Sequence, residues 1–293
     1  MKNEALMKRG LVLEGGALRG LFSAGVMDVM MEHDVQFDGI VGVSAGAAFG
    51  CNYKSHQAGR AIRYNKRFAR EWRYCSLRSL ITTGDLFGAD FAYHIVPTQY
   101  DVFDNETFEK DPTQFYVVCS DVVTGRPVYH LCMKGGDHTF DWIRASASMP
   151  VCSRIVELDG MKLLDGGMTD SIPLAFMQRE GYSRNVVILT QPEGYVKKRN
   201  PLMPIVRIAL RRYPAIVEAM ARRHEMYNAQ TAFVKEQEKA GNTFVVRPPL
   251  PLPIGHTSHD PDEMQRVYDI GRQTAEELLP QLLSFLYDFI SFI

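Results

Sequence analysis

Short apolar runs alternate with helical patterns along most of the chain. The runs that predict strands are rich in Val, Ile and Leu, and they cover residues 11–16, 37–44, 114–120, 127–133, 161–167 and 185–192. Mixed small and apolar positions predict helices over 18–33 and from Ala45 onward. Strands of this composition that alternate with helices are typical of a largely parallel sheet covered on both faces.

The pattern changes after about residue 192. Residues 203–240 predict a long helix interrupted at Pro214, and residues 260–293 predict another helix, broken or kinked at Pro280. A strand and a proline-rich loop lie between them, over 244–253. We therefore predict an α/β domain over residues 9–192 and a helical C-terminal extension over 193–293 that packs on it.

Composition narrows the class of protein. The chain is 46% hydrophobic and 23% charged, which suits a globular protein with a sizeable core. A formal net charge of −1 gives no reason to expect a nucleic-acid partner. The five cysteines are odd in number and form no C-x-x-C pair, which argues against a disulfide framework and favours a reducing cytoplasm. Lys8 and Arg9 interrupt the first apolar stretch, so we expect no signal peptide.

Two features leave membrane contact open. Cations cluster near the start of the C-terminal extension with Glu218 as the only acid among them: Lys197, Lys198, Arg199, Arg207, Arg211, Arg212, Arg222 and Arg223. A basic amphipathic helix can lie on anionic lipid, although a solvated helix face is the commoner explanation. The apolar tail 282–293 favours packing on the body or on a second copy over membrane insertion. We expect a cytoplasmic protein, with peripheral contact at the inner membrane surface and a homo-oligomer both left open.

Gly42-Val43-Ser44-Ala45-Gly46 has the pattern G-x-S-x-G at a predicted strand-to-helix junction. Glycines on both sides allow a sharp turn that exposes the serine hydroxyl. The N-terminal amides of the following helix favour negative charge at the same point. Ser44 is therefore a candidate nucleophile, although a plain turn that prefers small residues fits the pattern too.

A second glycine-rich segment, Gly15-Gly16-Ala17-Leu18-Arg19-Gly20, also joins a predicted strand to a helix. It lacks the Gly-Lys-Ser/Thr ending of a P-loop and the spacing of a dinucleotide-binding fingerprint. Consecutive small residues can instead present backbone N–H groups to an oxyanion. We interpret the segment as an oxyanion hole, with a simple glycine-rich turn as the alternative.

A nucleophilic serine needs a base. His256 and His259 have the late position that a histidine triad requires, but a solvated loop is the commoner setting, and their H-x-x-H spacing is a poor metal signal. Asp165 is the better candidate, because it ends a predicted strand before Gly166 and Gly167. Strand ends of a parallel sheet share one edge, so Asp165 can lie near Ser44, and a dry site would raise its pKa. Asp-Gly-Gly can also be only a turn.

In this order, the three motifs closely resemble the patatin-like phospholipase family, whose pattern is G-G-G-x-R/K-G, G-x-S-x-G and D-G-A/G. The resemblance spans residues 9–192. It implies a three-layer α/β/α sandwich with a mostly parallel central sheet and a helical C-terminal cap. Residues 145–150, Ala-Ser-Ala-Ser-Met-Pro, also resemble the small-residue segment that precedes the family's aspartate.

The resemblance also implies site residues. Ser44 would be the nucleophile and Asp165 the base of a dyad without histidine. The oxyanion hole would comprise Gly15, Gly16 and Ala17 with Arg19 at the basic position, and Gly20, Gly42, Gly46, Gly166 and Gly167 complete the motifs. No metal or cofactor is implied. Ala17 departs from the family pattern, since its methyl group narrows the loop and restricts φ.

The implied activity is hydrolysis of lipid acyl esters, as by a phospholipase A or a lysophospholipase, through an acyl-enzyme. The substrate partner would be a lipid or another fatty-acyl ester. Two alternatives remain open at this point. The same dyad could hydrolyse small soluble esters or thioesters, or the protein could be a catalytically silent lipid-binding regulator, which only Ala17 favours.

Overall fold

The computed structural model of the chain describes residues 7–287. Within them, eight strands form one sheet: β1 (Lys8–Leu13), β2 (Gly39–Val43), β3 (Gln114–Asp121), β4 (Arg126–Cys132), β5 (Val156–Leu158), β6 (Met161–Asp165), β7 (Tyr182–Ile188) and β8 (Thr243–Val246). The helices of this region are α1 (Gly20–Glu32), α2 (Ala45–Lys54), α3 (Arg60–Arg67), α4 (Leu77–Thr83), α5 (Asn105–Lys110), α6 (Asp137–Ser146), α7 (Leu174–Arg179), α8 (Met203–Ala209), α9 (Pro214–Lys239) and α10 (Pro261–Tyr287). Short 3-10 helices cover Ala17–Arg19 and Gly166–Met168, and a π-helix covers Phe91–Tyr100.

The sheet is parallel through β3-β2-β1-β7-β8, and β4, β5 and β6 add antiparallel pairs beside β3. Alternate strand residues face two apolar layers. Leu11 and Leu13 pack in the layer that includes α1, α2 and α10. Val12 and Val43 pack in the layer that includes α7 and α9. The predicted three-layer sandwich with a mostly parallel central sheet and C-terminal helices is confirmed.

Strand pairing along the two edges of β3 determines which strand ends lie together. β4 pairs with β3 along residues 115–121, while β2 pairs with 114–118 and β6 with 119–121. A strand has only two lateral edges, so β2 and β6 share the edge opposite β4. β2 runs toward β6 and ends at Val43, opposite Val118; β6 runs the other way and ends at Asp165, opposite Cys119. The two strands therefore meet end to end.

This arrangement corrects part of the sequence reasoning. We expected Asp165 to arrive at the end of a parallel strand, beside the end of the strand that precedes Ser44. β6 is antiparallel to β3 instead. The neighbourhood of Ser44 and Asp165 therefore comes from two strands that converge along one edge, not from parallel strands that end side by side.

The two prolines of the C-terminal helices differ in their effect on helix ends. Pro214 is the first residue of α9, where a missing N–H costs nothing, so the predicted interruption there is confirmed. Pro280 lies inside α10 and does not end that helix, so a break there is wrong. Leu282 and Leu286 are buried against the body. The rest of the apolar tail, residues 288–293, lies outside the described residues, and the division into domains at residue 192 stays a prediction.

α10 crosses α1 at very short range. A Cβ atom added to Gly25 or Gly271 would collide with the backbone of the opposite helix. The Tyr268 hydroxyl donates to the buried carboxylate of Asp28 at 2.7 Å. This crossing fixes the C-terminal helix on the layer that also contains α2. In the described part of the chain, no helix is both long and apolar enough to cross a bilayer.

Candidate active site

Ser44 occupies a strained turn between β2 and α2. Its φ of 55° and ψ of −122° lie where L-residues rarely occur, as at other sites that expose a nucleophile. Its backbone N–H donates to the Ser146 hydroxyl at 2.8 Å, and that hydroxyl donates to the Val118 carbonyl at 2.6 Å. Ser146, from the small-residue segment 145–150, thus ties the turn to β3.

The flanking glycines are required by packing. A Cβ atom at Gly42 would lie 2.6 Å from the backbone of Ala47. A Cβ atom at Gly46 would collide with the carbonyl oxygen of Leu13, which is backbone and cannot rotate away. The G-x-S-x-G spacing therefore permits α2 to start directly against β1 and β2.

Asp165 lies next to Ser44 and is almost completely buried. Its carboxylate accepts a hydrogen bond from the Gly167 amide at 2.7 Å, and it lies close enough to the Ser44 hydroxyl for that hydroxyl to influence its pKa. Burial raises the pKa of Asp165, while the Arg223 guanidinium, the Ser44 hydroxyl and the Gly167 amide act in the opposite direction. A carboxylate with a raised pKa is a stronger base than an exposed one.

The glycine loop lies against the same serine. A Cβ atom at Gly15 would be 2.8 Å from the Val43 carbonyl oxygen and 2.9 Å from the Ser44 Cβ. Within residues 7–287, the amides of Gly15, Gly16 and Ala17 donate to no protein acceptor. Ala17 has a φ of 50°, in the left-handed region where glycine is the usual residue. The loop therefore offers unpaired donors beside Ser44 at the cost of local strain.

Glu14 supports this loop, although no role was predicted for it. Its buried carboxylate accepts from the Thr190 amide at 2.6 Å and from the Tyr227 hydroxyl at 2.7 Å. Burial raises the pKa of Glu14, and these two donors offset part of that rise. Because Thr190 follows β7 and Tyr227 belongs to α9, Glu14 joins the loop to the C-terminal helices. An acid at the end of a buried strand was the available signal.

The two candidate histidines, His256 and His259, each contact a residue other than Ser44. His256 lines the same cavity as Ser44, but its Nε2 lies 2.8 Å from an Arg19 nitrogen. Burial lowers the pKa of His256 and Arg19 lowers it further, so the neutral ring accepts a hydrogen bond from an Arg19 N–H group. His259 Nδ1 instead lies 2.7 Å from the Ala69 carbonyl oxygen. In the described region, no group of three or more His, Cys, Asp and Glu is arranged to hold a metal ion.

Two cations of the basic stretch point inward. Arg223 of α9 donates to the Gly167 carbonyl at 2.5 Å, next to Asp165. The Lys197 ammonium lies 4.3 Å from the centre of the Tyr227 ring, and burial lowers its pKa to about 8, helped by repulsion from Arg223. Sequence reasoning had grouped both with the surface cations. Arg207, Arg211 and Arg212 of the same basic stretch are exposed on the surface.

A largely apolar cavity of about 350 Å³ opens beside Ser44. Its lining combines side chains of the glycine loop, the serine turn, α6, the π-helix and the C-terminal part, among them Ala17, Phe49, Tyr93, Ile143 and Val206. Cavities of this size and polarity suit an apolar ligand with a single reacting polar group. The site therefore combines an acceptor of protons, a hydroxyl, free amide donors and room for an apolar chain.

Comparisons with known proteins concern the family and the relatives of the chain. The family model described as Patatin-like phospholipase matches residues 11–177, and a model described as Domain of unknown function (DUF6363) matches residues 213–287. "Lysophospholipase nte1" of Aspergillus oryzae is 27% identical over 92% of this chain, which spans 18% of that protein. "Uncharacterized protein YjjU" of Escherichia coli is 34% identical over 62% of this chain, which spans 52% of that protein. VipD from Legionella pneumophila aligns with a TM-score of 0.44 at 12% identity, over 94% of this chain and 67% of VipD.

Proposed function

The chain belongs to the patatin-like phospholipase family, and on this premise we propose that it hydrolyses carboxylic ester bonds of lipids with a dyad of Ser44 and Asp165. The observation that carries the proposal is the end-to-end meeting of β2 and β6 on one edge of β3. As a result, the Ser44 hydroxyl lies beside the buried carboxylate of Asp165 at the wall of an apolar cavity.

The proposed reaction has two halves. The Ser44 Oγ attacks the ester carbonyl carbon while Asp165 takes the hydroxyl proton, and the amides of Gly15, Gly16 and Ala17 stabilise the oxyanion. Collapse expels the alcohol, which receives that proton, and leaves the acyl group on Ser44. Water then attacks the acyl-enzyme while Asp165 takes its proton. As the bond between the acyl carbon and the Ser44 Oγ breaks, Asp165 returns that proton to the Ser44 Oγ, and the carboxylic acid departs.

A dyad has no third side chain to orient the base, so the backbone has to do it. The Asp165 amide donates to the Ser148 carbonyl at 2.8 Å, and the Ser120 hydroxyl donates to the Asp165 carbonyl at 2.7 Å. The Gly167 amide fixes the carboxylate itself. These contacts support the proposal because they hold Asp165 in one orientation without help from a histidine.

The cavity argues for a substrate with an acyl chain. Most of its lining is apolar, and the chain would extend from Ser44 between α6 and the π-helix. The fungal relatives are named lysophospholipases, so lysophospholipids and phospholipids are the substrates we propose. Small soluble esters or thioesters would leave most of this apolar surface unused.

Turnover of a panel of p-nitrophenyl esters of increasing chain length, together with a lysophospholipid and a phospholipid, tests the proposal. We expect preference for long chains, and loss of at least about a thousandfold in kcat for Ser44→Ala, because the nucleophile is gone. Asp165→Asn should lose a similar factor. Ser183→Ala and Asp34→Asn, at exposed positions, are matched controls.

Four results would contradict the proposal. Turnover that persists in Ser44→Ala would show that Ser44 is not the nucleophile. Turnover by Asp165→Asn at the wild-type rate would show that Asp165 is not the base. Preference for the shortest esters, with no lipid hydrolysis, would favour a soluble-ester hydrolase. A folded wild-type protein that turns over nothing but binds fatty acid would favour the silent lipid-binding alternative.

A further inference from the structure

The short helix α8 forms part of the wall of the cavity and also part of the outer surface. Val206 faces inward and lines the cavity beside Leu202. Leu202, Ile205 and Ile208 are 53%, 49% and 73% exposed. Their spacing of three residues puts them along one side of the helix. An apolar stripe therefore runs outward from the rim of the cavity.

Val151 adds a second apolar group at this rim. It lines the same cavity and is 43% exposed. Its φ of 71° is an outlier for a β-branched residue, which avoids the left-handed region more strongly than most. Backbone strain of this kind persists where surrounding structure enforces it, and it is common at functional sites. Here it keeps an apolar side chain turned toward solvent.

The charges beside the stripe have one sign. Arg207, Arg211 and Arg212 are exposed, and in the part of the chain that the structure describes none of them forms an ion pair. Residues 195–217 contain no acid at all. By contrast, Lys197 and Arg223 of the same basic stretch contact the site instead. We call Leu202, Ile205, Arg207, Ile208, Arg211 and Arg212 together the α8 face.

We propose that the α8 face binds the surface of an anionic lipid bilayer and so opens the cavity onto its substrate. This inference rests on the proposed function for its purpose, although the binding itself does not require hydrolysis. Exposed isoleucines can enter the boundary between headgroups and acyl chains while arginines contact anionic headgroups. Because Leu202 belongs both to the face and to the cavity, a lipid could pass from one to the other without crossing bulk water.

A second copy of the chain is a poorer occupant. A two-fold interface brings the same patch of both subunits together. The three arginines would then face three more arginines with no acid nearby, which opposes association. The apolar end of α10 is also a poor candidate for the membrane contact, since Leu282 and Leu286 are buried.

Flotation with vesicles of phosphatidylcholine, with or without phosphatidylglycerol, tests the proposal. Ser44→Ala serves as the starting protein, so that lipids stay intact. We expect binding to vesicles that contain phosphatidylglycerol, falling as salt rises. Replacing all three arginines by glutamine should weaken partitioning by about a hundredfold, at about fivefold for each cation. Ile205→Ser with Ile208→Ser should weaken it by about tenfold or more.

The control for the arginine variant combines Arg126→Gln, Lys134→Gln and Arg266→Gln, at exposed positions elsewhere. The control for the isoleucine variant combines Val123→Ser and Leu131→Ser, which are also exposed. Both control proteins should float like the starting protein. When the same α8 substitutions are made in the protein that retains Ser44, turnover of a short p-nitrophenyl ester should be unchanged, because none of the substituted residues lines the cavity. Failure of that turnover in wild type would count against the proposed function alone.

The membrane proposal would be overturned by flotation that both α8 variants retain, or by equal losses in the controls. Equal binding to vesicles with and without phosphatidylglycerol would remove the role of the arginines. A wild-type dimer that does not float, and that Ile205→Ser with Ile208→Ser converts to a monomer, would identify the α8 face as an interface between copies.

Discussion

Ser146→Ala tests how the serine turn is held. The Ser146 hydroxyl is fully buried, accepts from the Ser44 amide and donates to the Val118 carbonyl. Alanine would leave both groups without this partner. A buried polar group that loses its partner costs about 1–3 kcal/mol, so two of them together should cost about 3 kcal/mol. For a chain of 293 residues that corresponds to a fall in Tm of about 5 °C.

Ser148→Ala is the matched control, two residues away. Its hydroxyl donates only to the Arg144 carbonyl at 2.8 Å, one turn back on α6. The expected cost is about 1 kcal/mol or less. Differential scanning calorimetry gives both Tm values, and ester turnover gives kcat and KM at a temperature where both variants are folded.

Activity separates a positioning role from a structural one. If the Ser146 bond holds Ser44 in its strained conformation, Ser146→Ala should lower kcat by about tenfold or more while KM changes little. Ser148→Ala should keep both constants. Equal Tm values for the two variants would refute the stability argument. A lower Tm with unchanged kcat would refute the positioning role.

Three further predictions follow from the same contacts. Ala17→Gly should raise the free energy of unfolding by about 1 kcal/mol, because it relieves a left-handed backbone; an unchanged or lower value in denaturant titration would contradict this. Gly46→Ala should unfold or inactivate the protein, because its Cβ meets the Leu13 carbonyl, whereas Gly255→Ala meets nothing and should be neutral by circular dichroism. The raised pKa of Asp165 implies that activity falls as pH drops through a value above the ordinary 3.8. The same raised pKa means that folding favours the protonated carboxyl, so its stabilising contribution is complete below the ordinary pKa and is lost as pH rises through the folded-state pKa. Asp165→Asn should therefore have a higher Tm than wild type near pH 7, and a lower one would contradict the burial argument.

The sequence predicted the sheet and the main motifs because both depend on local patterns. Buried strands have continuous apolar runs, and the glycines at positions 42 and 46 mark a turn whose packing tolerates no side chain. The same reasoning put Asp165 beside Ser44 correctly but assigned it to the wrong kind of strand. Strand direction depends on long-range pairing with β3, which no local pattern records.

Several parts of the site could not be read from the sequence. Glu14 and Ser146 act through partners more than a hundred residues away, Tyr227 and Ser44 respectively. The basic stretch looked like a single surface, yet Lys197 turns inward toward Tyr227. Which cation faces the site depends on how α9 packs against the sheet. The predicted effect of Pro280 was a break or a kink, and the break is wrong because the helix continues through that residue.

The most direct test of the account is to map the adduct formed when the wild-type protein reacts with a fluorophosphonate, by mass spectrometry of its peptides. We expect one phosphonylated residue, Ser44, because its hydroxyl lies beside the buried carboxylate of Asp165 and the unpaired amides of the glycine loop at an apolar cavity. Labelling of a different serine, or an active hydrolase that never reacts, would contradict the central claim that Ser44 is the nucleophile.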